Sequence, residues 1–256
     1  MKTLVVFPTR FEAKAVFSKF ARLRFSPAGS AGPAGLVGDF FEVRAADMFA
    51  DLPKSRRGDS FEFFVSGVGC AASASAFSDR AISGRADCVL LAGFAGGCNP
   101  SLKPGDLVFE TRQARVRRAA MSVGARPARV AWLEKIAGVR DKAELFSSSG
   151  ADAVEMEAQI FKRELCARGA DIELSQFRCI SDAFDDGAAL EKLGFGTDLS
   201  SGNMTFSAVG FLLGALRNPG LLAGFFGFVL RAWRARSAYD SKIIEFLEAY
   251  SRFDEG

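Results

Sequence analysis

Short apolar runs alternate with stretches of helical period over the first two-thirds of the chain. TLVVF (3–7), FEFFVS (61–66), DCVLLA (87–92), DLVFE (106–110) and IELSQFRCI (172–180) read as strands, and helical patterns fall at about 10–22, 70–83 and 155–168. Strands of this length alternating with helices predict an α/β fold with a largely parallel or mixed sheet. The strand ends carry Gly- or Ser-rich turns, SGVGCA, AGFAGG and ISDAFDD. Ligands in such sheets gather at the carboxyl ends of the strands, so these turns should converge on one rim. SPAGSAGPAGLVG (26–38) reads as a loop within one domain, because a strand-like DFFEVRAA follows it directly. The pattern changes at 204–233, MTFSAVGFLLGALRNPGLLAGFFGFVLRAW, which is apolar but interrupted by RNPG. Neither half reaches the ~20 residues that span a bilayer. Two helices broken at Pro219 are predicted there, followed by an amphipathic helix at about 237–251. Such an apolar segment packs on the sheet or at a subunit interface, or touches a membrane surface or a lipid-like substrate.

Composition narrows the chemistry. The 256 residues are 49% hydrophobic and 25% charged, as in a globular protein. They read as one domain, 1–256, with an apolar helical C-terminal extension at about 203–256. A net charge of +3 is too small to imply a nucleic-acid partner. Six arginines and no acid lie in 112–130, a solvated face or a patch for an anion. No charged n-region precedes an apolar h-region, so no signal peptide is expected. Cys70, Cys88, Cys98, Cys166 and Cys179 form no C-x-x-C pair. They read as reduced, buried thiols of a cytoplasmic protein, with no metal site. The chain contains no histidine, which excludes Ser-His-Asp triads and His-based metal centres. Acid–base work near neutral pH falls to carboxylates, Lys, Tyr or Cys. GVGCAA (67–72) resembles a dinucleotide-binding turn, but the next strand ends in glycine rather than in the acid that binds ribose.

Three acids stand at strand-to-helix junctions. Glu12 follows the first strand, and Thr9-x-x-Glu12 also fits a capping box. Asp182 follows the last strand and would equally serve as a helix N-cap. In ADAVEMEAQ (151–159) a helix at 100° per residue turns Glu155 to solvent and leaves Glu157 half-buried beside Val154 and Phe161. A half-buried carboxylate needs donors. Sugar hydroxyls would serve, and so would the N–H groups at the helix start.

Four segments, MKTLVVFPTRFEAK, VSGVGCAASA, LLAGFAGGCNPSLKPGDLVF and ADAVEMEAQ…FRCISDAFDD, resemble the nucleoside phosphorylase/nucleosidase superfamily. Methylthioadenosine/S-adenosylhomocysteine nucleosidases are the most similar group. The apolar tail resembles that of the hopanoid-associated subgroup. The resemblance implies a three-layer αβα sandwich with a central mixed sheet, a homodimer, a purine nucleoside as substrate and no cofactor. It implies that Asp182 acts at N7 of the purine and that Arg178 orients the Asp182 loop. Glu157 would hold the ribose hydroxyls over Met156, and Glu12 would activate water. Ser181, Glu155, Phe94, Ala95 and Gly96 complete the implied substrate-binding set. Phe94 stands where these nucleosidases have a small polar residue. The purine-stacking strand is expected in RVAWLEKIAG (129–138), with Trp132 either on the base or in the core. No arginine pair is placed for phosphate, which favours hydrolysis over phosphorolysis. Phosphorolysis or hydrolysis of an adenosyl-lipid such as adenosylhopane, and non-catalytic nucleoside binding, are the alternative functions.

Overall fold

The computed structural model describes residues 1–21, 26–27, 40–68, 73–185, 195–198, 203–206 and 220–253. In chain order the elements are β1 (Lys2–Phe7), α1 (Arg10–Lys19), β2 (Ser26–Pro27), β3 (Phe40–Arg44), α2 (Ala45–Met48), β4 (Ser60–Val65), α3 (Ala74–Ser83), β5 (Cys88–Gly97) and β6 (Leu107–Glu110). They continue with α4 (Ala114–Ser122), β7 (Arg126–Pro127), β8 (Val130–Trp132), α5 (Val139–Ser149), β9 (Ala153–Glu155) and α6 (Ala158–Ala167). The last are β10 (Leu174–Asp182), β11 (Phe195–Asp198), β12 (Asn203–Phe206) and α7 (Gly220–Arg252).

Ten strands form one mixed sheet, ordered β2-β3-β4-β1-β5-β10-β6-β7, with β9 on β5 and β8 on β9. The central strands β4, β1, β5 and β10 are parallel, so their carboxyl ends share one edge. Alternation within them supplies two cores, because successive side chains point to opposite faces. Val5 and Phe7 of β1, Leu90 of β5 and Phe177 of β10 pack with Val16 of α1, Val116 of α4 and Ile243 and Leu247 of α7. Leu4, Val6, Val89 and Leu91 pack on the other face with Phe77 of α3 and Phe161 and Leu165 of α6. The result is the expected three-layer αβα sandwich.

Several boundaries differ from the sequence reading. AGFAGG is not a turn: β5 runs through it to Gly97. The 155–168 helix starts at Ala158, because Ala153–Glu155 form a strand. The final helix is continuous from Gly220 rather than starting near 237. The helix expected before Pro219 lies outside the described residues except at 203–206, which form β12. No helix among the described residues is long and apolar enough to cross a membrane. Of the six arginines in 112–130 five are exposed or partly so, but Arg115 is buried. Cys88, Cys98 and Cys179 are buried free thiols, whereas Cys166 is exposed on the outer face of α6. Cys70 and most of the 67–72 turn lie outside the described residues.

Candidate active site

Glu12 sits in the first turn of α1, directly after β1, and is buried. Thr9 caps the helix, its Oγ1 accepting from Glu12 N at 3.3 Å and donating to Glu12 Oε2 at 2.7 Å. The Thr9 half of the capping box is therefore formed, and Oε1 is left to reach the sheet. There Oε1 accepts from the N–H of Phe94 at 2.8 Å. Gly93 makes this approach feasible, since a Cβ at that position would stand 2.3 Å from Oε1. Burial pushes the Glu12 carboxyl above its ordinary value, opposed by the Phe94 N–H, the Thr9 hydroxyl and the charge of Arg178.

The paired glutamates differ from the helical projection. Glu155 ends β9 and is buried rather than solvated. Its carboxylate accepts from the N–H groups of Glu157 at 2.8 Å and Ala158 at 2.9 Å. It thus serves the start of α6, where orphan donors and the helix dipole favour an acid. It is Glu155, not Glu157, that makes the helix-start bonds. Glu157 is fully buried rather than half-buried. Arg178, wholly buried on β10, donates to Glu155 Oε2 at 2.8 Å and lies 3.5 Å from Glu157 Oε2. Burial pushes the Glu155 carboxyl up to about 7, with Arg178 pulling it down and Glu157 pushing it up. Nη1 of Arg178 has no hydrogen-bond partner among the described residues.

Asp182 closes β10 opposite Gly96 of β5, just past an irregularity in the register. It caps no helix among the described residues. Its Oδ1 accepts from Ser181 Oγ at 2.5 Å, and its Oδ2 is held by the ammonium of Lys142. The ion pairs of Arg178 run to the two glutamates, so Lys142 and not Arg178 anchors the Asp182 end. Lys142, on α5, carried no signal in the sequence.

Phe94 is half-buried between Phe11 and Tyr239, with ring centroids 6.2 and 5.1 Å away. Ala95 is buried beside it and accepts from Ser181 Oγ at 3.3 Å. Met156 is half-buried, and its carbonyl accepts from Trp132 Nε1 at 2.9 Å. Trp132 lies in β8, inside the 129–138 segment, with the guanidinium of Arg163 5.2 Å from its ring centroid. Tyr239 on α7 likewise carries no signal in the sequence. It is buried, its hydroxyl has no hydrogen-bond partner among the described residues, and it feels the charges of Glu12 and Arg178. Among the described residues no acidic, Cys or His cluster is arranged to hold a metal ion.

The arrangement gathers Glu12, Glu157 and Asp182 at the carboxyl ends of β1, β5 and β10, in three environments. One is a buried carboxyl bonded to the sheet, one is buried beside a guanidinium, and one is partly exposed on an ammonium. Different surroundings are what let carboxylates take different acid and base roles.

No family model and no curated protein matches the sequence. Solved structures do match in three dimensions. The 5′-methylthioadenosine/S-adenosylhomocysteine nucleosidase of Campylobacter jejuni is 16% identical, with a TM-score of 0.61 over 97% of this chain and 99% of that one. The nucleosidase of that name from Colwellia psychrerythraea, solved with adenine, is 15% identical, with a TM-score of 0.61 over 99% and 97%. The futalosine hydrolase of Helicobacter pylori is 18% identical, with a TM-score of 0.55 over 71% and 88%. The chain has the fold of these nucleoside hydrolases.

Proposed function

We propose that this protein is a purine nucleosidase, hydrolysing the N-glycosidic bond of a 5′-substituted adenosine such as methylthioadenosine or S-adenosylhomocysteine and releasing adenine. The observation that carries this reading is the convergence of Glu12, Glu157 and Asp182 on one rim of the sheet. Its support is the likeness in fold to nucleosidases that carry those substrates in their names. Breaking the bond builds positive charge on the ribose. The carboxylate of Glu157 beside the sugar hydroxyls favours that charge, and Arg178 fixes its position. Glu12, raised by burial, takes a proton from water attacking C1′. Asp182 meets the base at N7. Met156, Phe94, Ala95 and Gly96 are the walls of the sugar site, and Ser181 steadies Asp182. Glu155 acts from behind, holding Arg178 and the start of α6.

One observation favours a second reading, an adenosine carrying a lipid-like 5′ group. A groove of about 560 Å³ between α1 and α7 is lined by Phe11, Lys14, Trp233 and Arg236, next to the Glu12 turn. Phe11 and Trp233 are 53% and 68% exposed there.

The test is adenine release from methylthioadenosine, S-adenosylhomocysteine and adenosine, with and without phosphate, in wild type and Asp182→Asn. Phosphate-independent release, lost in the variant, is expected. Release only with phosphate would make the protein a phosphorylase. No release from the three, with release from an adenosyl-lipid, would establish the second reading. Binding without release from any of them would leave a nucleoside-binding protein.

A further inference from the structure

The geometry points to Lys142 as the source of the proton that the departing base requires, delivered through Asp182, to which it is ion-paired over Gly96. This inference rests on the nucleosidase reading and adds a residue to it.

Lysine is almost never fully buried unless paired, and the Lys142 side chain is 1% exposed. It is also the one buried residue of α5. A helix that docks on a sheet normally does so through an apolar stripe. Here the deepest side chain is an ammonium, with Leu145 only partly buried against Cys98 and Val154. A buried ion pair adds little to stability, and well-packed apolar groups of similar volume often do as well or better. Stability alone therefore gives no reason for a lysine at this position.

The surroundings are built around the pair. The ammonium donates to Asp182 Oδ2 and to the carbonyl of Ala183, the latter at 2.7 Å. Gly96 leaves the space the pair occupies, since a Cβ there would lie 3.2 Å from Asp182 Oδ2 and 3.3 Å from Lys142 Cε. Asp141 accepts from Gly138 N at 2.9 Å and fixes the start of α5 one residue before the lysine. Asp182 meanwhile keeps its outer side partly exposed.

Chemistry then assigns the roles. An ion-paired carboxylate is an acceptor only, whereas the ammonium carries three protons. As the C1′–N9 bond breaks, its electron pair leaves on the purine. N7 takes a proton from Asp182, which takes one from Lys142, so the carboxylate ends as it began and the ammonium becomes an amine. The oxygen of water bonds to C1′, and Glu12 takes its proton. Solvent carries that proton back to Lys142 after release. Lys142 is thus a positioning and proton-supplying residue that acts through Asp182.

The experiment compares two leaving groups in wild type, Lys142→Met and Lys142→Gln. One substrate is methylthioadenosine. The other is 4-nitrophenyl 5-methylthio-β-ribofuranoside, whose phenolate leaves without a proton. Adenine release should fall by ~10²–10⁴-fold in both variants, the range typical of general acid catalysis. Nitrophenol release should change by less than about threefold, because sugar and water contacts are untouched. Equal loss on both substrates in variants with an unchanged unfolding midpoint would make Lys142 structural and overturn the proposal. So would undiminished adenine release. A wild type inactive on both substrates would instead remove the nucleosidase reading itself.

Discussion

Two arginines among the described residues are buried, and they are satisfied in different ways. Arg115 on α4 has all three guanidinium nitrogens engaged. Nε donates to the carbonyl of Tyr250 at 2.6 Å, Nη2 to Asp59 Oδ2 at 2.9 Å, and Nη1 meets Met1 Sδ at 2.9 Å. Its guanidinium lies 4.0 Å from the centroid of the Tyr250 ring. It ties α4 to α7 and to the turn before β4. Arg178 is equally buried but less complete. Nη2 holds Glu155 and faces Glu157, Nε reaches Gln176 at 3.3 Å, and Nη1 has no partner among the described residues. A buried donor left unmatched costs ~1–3 kcal/mol or more when charged, and such groups in a folded protein call for a reason. Same residue type and same burial therefore mark two uses: a closed lock far from the rim, and an unfinished set of contacts at the carboxyl ends of the strands.

Substitution should separate the two most sharply at Arg178. Arg178→Met leaves Glu155 and Glu157 buried without their cation. Stability should drop by ~3–5 kcal/mol, as when one partner of a buried pair is removed. Nucleoside hydrolysis by the remaining folded protein should fall by ~10²-fold or more. Arg115→Met should cost a similar ~3–5 kcal/mol in denaturant unfolding, while kcat and KM at a temperature where the variant is folded stay at wild-type values. If Arg115→Met lost activity as deeply as Arg178→Met, the distinction between lock and site would collapse.

Gly93→Ala gives a smaller and more local effect. The new methyl group would stand 2.3 Å from Glu12 Oε1 and 3.1 Å from Pro8 Cδ, so the carboxylate must swing away from the N–H of Phe94. A displacement of about 1 Å can cost up to ~10²-fold. A fall in kcat of about tenfold, with KM little changed, is expected in steady-state kinetics. An unchanged kcat would show that the Glu12–Phe94 bond does not hold the working position of Glu12.

What the sequence revealed followed from period and from junctions. The near-continuous apolar runs in TLVVF and DCVLLA mark the central strands because both faces of that sheet are covered. Glu12, Glu157 and Asp182 stand out because all three fall at strand-to-helix junctions of an α/β pattern. Two features were hidden by local rules that tertiary structure overrides. AGFAGG reads as a turn by composition, yet its glycines lie in β5 where Glu12, Asp182 and Lys142 come close to the backbone. Helical geometry turns Glu155 to solvent, but that geometry does not apply to a residue in β9. Lys142 was hidden for another reason. On a charged amphipathic helix a lysine reads as solvated, and only the docking of α5 over Gly96 turns it inward.

The pH dependence provides the finest comparison, because catalysis and folding should respond with opposite signs. Glu12 and Glu155 both titrate above their ordinary value of 4.5 in the folded protein, chiefly because burial disfavours the charged form. Glu12 must be ionised to accept a proton from water. The acidic limb of kcat/KM should therefore lie above the ordinary carboxylate range, with activity rising as pH rises through it. Folding runs the other way. Between 4.5 and about 7 the folded chain binds a proton on Glu155 that the unfolded chain has released, and the raised Glu12 acts in the same direction. Stability is then fully present below the unfolded value and is lost as pH rises through the folded one. Thermal midpoints of the wild type should fall over that window while kcat/KM climbs. Glu155→Gln should flatten the stability slope, and Arg115→Met should keep both slopes at a lower overall midpoint. Parallel slopes for activity and stability in the wild type would mean that the buried carboxyls are ionised throughout, with Arg178 outweighing their burial.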